Sequence, residues 1–254
     1  MTMPNWPFAF LRFGMIAMIY LKFAPDYELL YAQPFLYYGL PFFLLLATLG
    51  LHRYWMFALG SMLLAVALTG IAPQRFLTEP FQTISLGLVT FFLGFTPCDR
   101  DFSVRAWWSE SEKNFFHFKV DPAATWNIYR LLVALLYFRF LLMRTNVGYF
   151  QGNFFSRHIT ERFLGWNFPY EPWFLTVCAF TAVVLWALNL SFTVLVWFPH
   201  YYRAFVIMAL AFHGIYLATV SFQDMGHLLF ILLLIPFAAF AQSLPRASKL
   251  LTSP

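Results

Sequence analysis

The side chains that could do chemistry in this sequence are few, and they stand inside apolar runs. Arg130, Tyr137, Arg139 and Arg144 share one stretch, His213 lies in another, and Asp224 and His227 head a third. Arginine stays protonated at any working pH. Arg130, Arg139 and Arg144 can therefore hold an anion, a headgroup phosphate or a carboxylate, but cannot act as general bases. At about 100° per residue, Arg130, Tyr137 and Arg144 fall on one helical face, while Arg139 points nearly opposite to Arg130. The set cannot all serve one site. Snorkelling to the two interfaces would account for Arg130 and Arg144 without any ligand; Arg139, nearer mid-span, is harder to explain that way.

His213 sits well inside its apolar run. It reads either as a hydrogen-bonded packing residue or as a haem or pigment ligand or proton relay. A bis-histidine haem needs a partner at similar depth, and His227 is the only candidate. At about 1.5 Å per residue the two differ by roughly 6 Å in depth, which argues against haem. Asp224 and His227, three apart, share a helical face and could pair, although capping of the helix by Asp224 is the simpler account. Arg12 stands close enough to the start of the first apolar run to snorkel. No serine or cysteine nucleophile with a nearby base, no phosphate-cradling glycine loop and no metal-ligand cluster is visible.

The elements that must position these groups are membrane helices. Hydrophobic residues make up 61% of the 254 and charged residues 11%, too little polar surface to coat a soluble globule. Apolar runs near 8–23, 35–51, 54–72, 81–97, 126–143, 173–198, 202–220 and 226–242 predict an all-α, polytopic integral membrane protein with about eight transmembrane helices. Barrel strands would alternate polar and apolar instead. Pro25, Pro34, Pro73, Pro80, Pro97, Pro122, Pro172 and Pro199 fall at or near the ends of these runs, while Pro41 and Pro236 lie inside them. The first run ends in Lys22 and Phe23 without a small-residue cleavage motif and reads as a retained signal anchor.

The net charge of +5 comes from scattered basic residues with no basic run, which speaks against nucleic acid as a partner. Cys98 and Cys178 provide neither a disulfide framework nor zinc-site spacing. With the N-terminus inside, Arg53, Arg100, Arg105, Lys113, Lys119, Arg203, Arg246 and Lys249 collect on the cytoplasmic side. Lys22, Arg75, Arg144, Arg157 and Arg162 lie opposite, a bias toward both termini in the cytoplasm, in a membrane of the bacterial inner type. The whole chain, 1–254, reads as one transmembrane domain. Two long connections interrupt it: 98–125, with Trp107, Trp108, Phe115 and Phe116, and 144–171, with Tyr149, Phe150, Phe154, Phe155, Phe163 and Trp166. Each could form an interfacial aromatic belt, cover a cavity or dock a partner.

The stretch from Arg130 to Gly152, RLLVALLYFRFLLMRTNVGYFQG, carries a family pattern: an Arg, an apolar run, Tyr137 and Phe138, then Tyr149 in the place of a Trp, and Gly152. Upstream stand Pro97 and Phe102, Ser103, Val104; downstream stand Arg203 and the in-span His213. In order and spacing these residues resemble the membrane domain of the vitamin K-dependent γ-carboxylase, the horizontally transferred transmembrane (HTTM) domain, over nearly the whole chain. In that family a lysine in this segment is tied to base chemistry, which burial favours by lowering its pKa. Here Met143 and Arg144 occupy the lysine places, Leu141 replaces a family glycine, and Arg105 replaces an Asp. Little sequence follows the last apolar run to match the large lumenal domain.

The resemblance thus implies the family's fold with its chemistry removed: a non-catalytic accessory subunit that packs with other membrane proteins and membrane lipids, or holds a lipid, quinone or pigment. The alternative is a membrane enzyme or maturation factor acting on a lipophilic or peptide substrate, with Arg139, Arg144 and His213 as its polar groups.

Overall fold

The computed structural model describes residues 5–69, 80–104, 107, 122–163, 171–219 and 225–243, and every regular element among them is helical. In chain order they are α1 (Trp6–Phe23), a 3₁₀ segment (Ala24–Ala32), α2 (Pro34–Leu49), α3 (Tyr54–Thr69), α4 (Pro80–Leu93) and α5 (Pro122–Arg144). There follow α6 (Val147–Phe150), α7 (Asn153–Phe163), α8 (Pro172–Leu195), a 3₁₀ turn (Pro199–Tyr201), α9 (Tyr202–Thr219), α10 (Met225–Leu233) and α11 (Ile235–Ser243).

Among the described residues, four helical stretches are long and apolar enough to cross a membrane: Trp6–Phe23, Ala123–Arg144, Pro172–Leu195 and Pro199–Ala218. The other four apolar runs form shorter helices, Pro34–Leu49, Tyr54–Thr69, Gln82–Leu93 and Gly226–Gln242. Local chemistry explains the shortening. Gly50, at φ 61°, takes the left-handed conformation that ends α2. The run 226–242 is interrupted at Leu234, just ahead of Pro236, which lacks an N–H and crowds the preceding turn. Pro41, by contrast, is absorbed within α2.

The chain forms two compact units, Met1–Tyr129 and Arg130–Pro254, and the division falls inside α5. No linker marks it, so composition along the sequence gives no sign of it.

In the N-terminal unit, α1 buries Phe8, Leu11, Arg12, Met15 and Ile19, the three- and four-residue spacing of one helical face. Helices α3 and α4 pack closely at Gly60. A methyl group on Gly60 would stand 2.3 Å from the backbone nitrogen of Phe91, so only glycine permits that contact.

In the C-terminal unit, the Asn146 side chain caps α6 by accepting from the Tyr149 backbone N–H at 2.9 Å. Gly152, at φ 79°, then turns the chain against the backbone of Cys178 and Ala179 and starts α7. Helix α7 is amphipathic, with Phe155, Ser156 and Thr160 buried and Arg157 exposed.

Candidate functional site

The in-span polar residues of the C-terminal unit gather from three helices. Tyr137 comes from α5, His213 from α9 and His227 from α10, and all three are fully buried. The Tyr137 hydroxyl meets Nε2 of His213 at 3.0 Å, and Nδ1 of His213 meets Nδ1 of His227 at 2.8 Å. With both imidazoles neutral the chain closes in either direction. Tyr137 can donate to His213, which then donates to His227, or each bond can reverse. Flat rings hold the set in place: Phe230 stacks on His213 at 4.8 Å and 7°, and Tyr216 stacks on His227 at 4.3 Å and 18°.

The sequence separated His213 and His227 by about 6 Å in depth. The structure corrects this, with ring centroids 5.0 Å apart and the two nitrogens in hydrogen-bond contact. The estimate counted backbone rise alone, whereas the imidazole rings reach out from their Cα atoms and meet across the offset. Two nitrogens facing each other at 2.8 Å also leave no room for an iron between them, since metal–nitrogen bonds of about 2 Å would hold them about 4 Å apart. Asp224, the proposed partner or cap for His227, lies outside the described residues.

The arginines disperse: helical angle sets Arg139 apart, and Arg130 and Arg144, on one face, lie roughly 21 Å apart along α5. Arg139 is exposed. Arg130 reaches the start of α9, where it donates to the Trp197 carbonyl at 3.4 Å and lies 3.5 Å from the Tyr202 hydroxyl, with its guanidinium 5.1 Å from the Trp197 ring centre. Arg144, the last residue of α5, stacks on Phe140 at 3.7 Å and on Tyr216 at 4.6 Å. Guanidinium, phenol and imidazole therefore lie in one stack, Arg144 on Tyr216 on His227.

Beside this stack lies an apolar cavity of about 500 Å³. Its walls are Phe155 and Ile159 of α7, Thr181, Leu185 and Leu188 of α8, and Met208, Ala211, Phe212, Ile215 and Tyr216 of α9. Its volume lies in the range of small-molecule sites, roughly 300–1,000 Å³. Of the lining residues only Thr181 and Tyr216 carry a polar side-chain atom. Tyr216 is shared: one of its faces stacks on His227, and the residue also lines the cavity.

No protein-family description, curated protein or solved structure matches this chain.

The connection 144–171 divides between readings. In its described part Tyr149 and Phe155 turn inward, and Phe155 forms part of the cavity wall, while Phe163 and Trp166 lack a described side-chain placement. Of the connection 98–125, Trp107 is exposed; Trp108, Phe115 and Phe116 lie outside the described residues.

A second polar cluster, in the N-terminal unit, escaped the sequence reading. Arg12 does not snorkel. It is 1% exposed and donates to the carbonyls of Cys98 at 2.9 Å and Phe102 at 2.7 Å. Phe102 presents its carbonyl from the left-handed region, at φ 50°. Gly50 lies against the same guanidinium, where a methyl group would come within 2.3 Å of Nη1. Asp99 is buried beside it and accepts from the Arg53 backbone N–H at 3.1 Å. Burial, together with the Asp99 carboxylate, pushes the Cys98 thiol up to about 12. The signal available in the sequence was the pairing of a lone in-span arginine with a polar turn, Pro97 to Ser103, elsewhere in the chain.

Proposed function

We propose that this chain is a non-catalytic, HTTM-like integral membrane subunit whose C-terminal unit holds one lipophilic molecule, a lipid, quinone or pigment, in the cavity between α7, α8 and α9. The cavity carries the proposal: it has ligand size, apolar walls, and one aromatic wall, Tyr216, backed by the buried histidine pair. On this reading the four shorter apolar helices also cross the bilayer, giving eight crossings with both termini in the cytoplasm. Large exposed aromatics such as Tyr20 on α1, Phe35 and Tyr38 on α2 and Phe180 on α8 then face lipid or other membrane proteins.

Burial favours holding over chemistry. A group that moves a substrate proton must come within about 3 Å of it. Tyr137, His213 and His227 are sealed and do not line the cavity, and Met143 and Arg144 stand where the family places its lysine. In this reading the Tyr–His–His chain fastens α5, α9 and α10 and so shapes the cavity's back wall.

The test is gentle extraction followed by mass spectrometry and an absorption spectrum of everything that copurifies. A lipophile should accompany the wild type and be lost from Ala211→Trp, which fills the cavity. Equal content in both proteins, or none in the wild type, would overturn the proposal.

A further inference from the structure

The surroundings of Arg144 carry the cavity reading further, to the class of ligand. Its guanidinium is enclosed by aromatic faces: Phe140 at 3.7 Å, Tyr216 at 4.6 Å, Phe154 at 5.6 Å and Tyr149 at 5.8 Å. Ring faces attract the cation but do not take up its N–H groups as a carboxylate or phosphate does. Nη1 of Arg144 is buried and has no hydrogen-bond partner among the described residues. Tyr149, only 4% exposed and packed on the same guanidinium, has a buried hydroxyl that also lacks a partner among them. Unmet buried donors usually mark a group that something else satisfies.

Arg144 and Tyr149 do not themselves line the cavity, but two of these rings connect the place to it, and a head group reaches the guanidinium as Tyr216 turns aside. Tyr216 stacks on Arg144 and lines the cavity, and Tyr149 touches Phe155, another lining residue, at 5.7 Å. Arg144 also ends α5, one of the stretches long enough to cross a membrane. That is the depth at which a lipid's charged head meets its apolar chain.

We propose that the ligand is an anionic amphiphile, its chain lying in the α7–α8–α9 cavity and its carboxylate or phosphate head bound by Arg144 and the Tyr149 hydroxyl. The arginine supplies a fork of donors that matches either head group. The neutral rings around it exclude water and strengthen the pairing. This rests on the cavity being a ligand site.

The experiment titrates purified protein in detergent with a dansyl-labelled eleven-carbon fatty acid and, separately, with its methyl ester, which keeps the chain and removes the charge. Acetate and inorganic phosphate serve as competitors that carry the head chemistry without a chain. The wild type should bind the acid about tenfold more tightly than the ester. Arg144→Gln should erase that preference, so that acid and ester bind alike, Arg144→Lys should restore part of it, and Ala211→Trp should abolish binding of both probes. Equal affinity of the wild type for acid and ester would overturn the anionic head while leaving a neutral lipophile in the cavity. Displacement by acetate or phosphate alone would make the site one for a free anion and overturn the amphiphile. Binding of neither probe would remove the inference, and with a lipophile still copurifying the cavity reading would survive it. If Arg144→Gln fails to fold, the comparison of acid with ester in the wild type decides the question alone.

Discussion

Arg12 and Arg144 pose the same physical problem and receive different answers. Each is a permanent cation in or at the end of an apolar helix, where exposure to hydrocarbon costs roughly 2.5–3.5 kcal/mol on insertion scales. Both terminal nitrogens of Arg12 are met by the protein, through the carbonyls of Cys98 and Phe102, with Asp99 close by, and only its buried Nε has no partner among the described residues. Arg144 is met by rings, and one of its buried donors has no partner among the described residues. A buried cation whose donors point at backbone carbonyls closes a fold. One surrounded by aromatic faces keeps hydrogen-bonding capacity for something else.

The largest effect that would break this contrast is expected at Arg12. Arg12→Met keeps much of the apolar stem and orphans two carbonyls, a loss of roughly 2–6 kcal/mol. It should lower the detergent unfolding temperature steeply and cut the yield of folded protein. A near-wild-type melting curve would show that the carbonyls find other donors and that Arg12 closes nothing.

Gly50→Ala attacks the same clamp from its neighbour. The left-handed backbone at φ 61° alone costs a non-glycine residue about 1–2 kcal/mol, and the added methyl runs into the guanidinium. The expected outcome is destabilisation of which only the backbone strain adds to that of Arg12→Met in the double variant, because the clash disappears with the guanidinium. Fully additive losses would separate them.

In the C-terminal unit, Tyr137→Phe removes one hydrogen bond from the buried chain and leaves its ring packing on Phe230, at 4.4 Å, in place. The loss should be about 0.5–2 kcal/mol, visible as a moderate shift in the melting curve, with the copurifying lipophile retained. Loss of the lipophile with an unchanged melting curve would place Tyr137 in contact with the ligand.

The Cys98 thiol sharpens the comparison at alkaline pH. Raised to about 12 from the ordinary thiol value of 9, it keeps its proton in the folded state where the unfolded chain gives it up. The stability this contributes is fully present below pH 9 and is lost as pH rises through 12. Wild type and Cys98→Ala should therefore differ by a constant amount below pH 9 and converge above it. A pH-independent difference would show a thiol that does not titrate with unfolding.

The smallest effect is expected at Arg144. Arg144→Gln should cost about 0.5–1 kcal/mol, the cation–π attraction of the surrounding rings, since its buried Nη1 makes no hydrogen bond to a described residue. A drop as large as that for Arg12→Met would make both arginines structural and erase the contrast.

Much of this was legible in the sequence, and the misses have specific causes. Apolar runs located every long helix, because burial in lipid is written residue by residue. The helical angle put Arg139 apart from Arg144 and set Arg130, Tyr137 and Arg144 on one face, and Arg139 is exposed in the structure. A bis-histidine haem was argued against on depth, and the direct contact of His213 with His227 was not foreseen, because counting residues measures backbone rise and not where the rings reach. Arg12 was assigned to the interface because position along one helix says nothing about the carbonyls another segment brings to it.

The sequence alone determined helices, four of them among the described residues long and apolar enough to cross a membrane, with few polar groups in its apolar stretches, since composition and period are local quantities. It also determined which of those groups can hold charge and which can pass a proton. Only the tertiary structure decided which ones meet: Tyr137 with two histidines, Arg12 with two carbonyls, Arg144 with a ring cage beside a cavity. The partners come from segments as many as 90 residues apart, and hydrogen-bond distances between such segments follow from packing that no local pattern encodes.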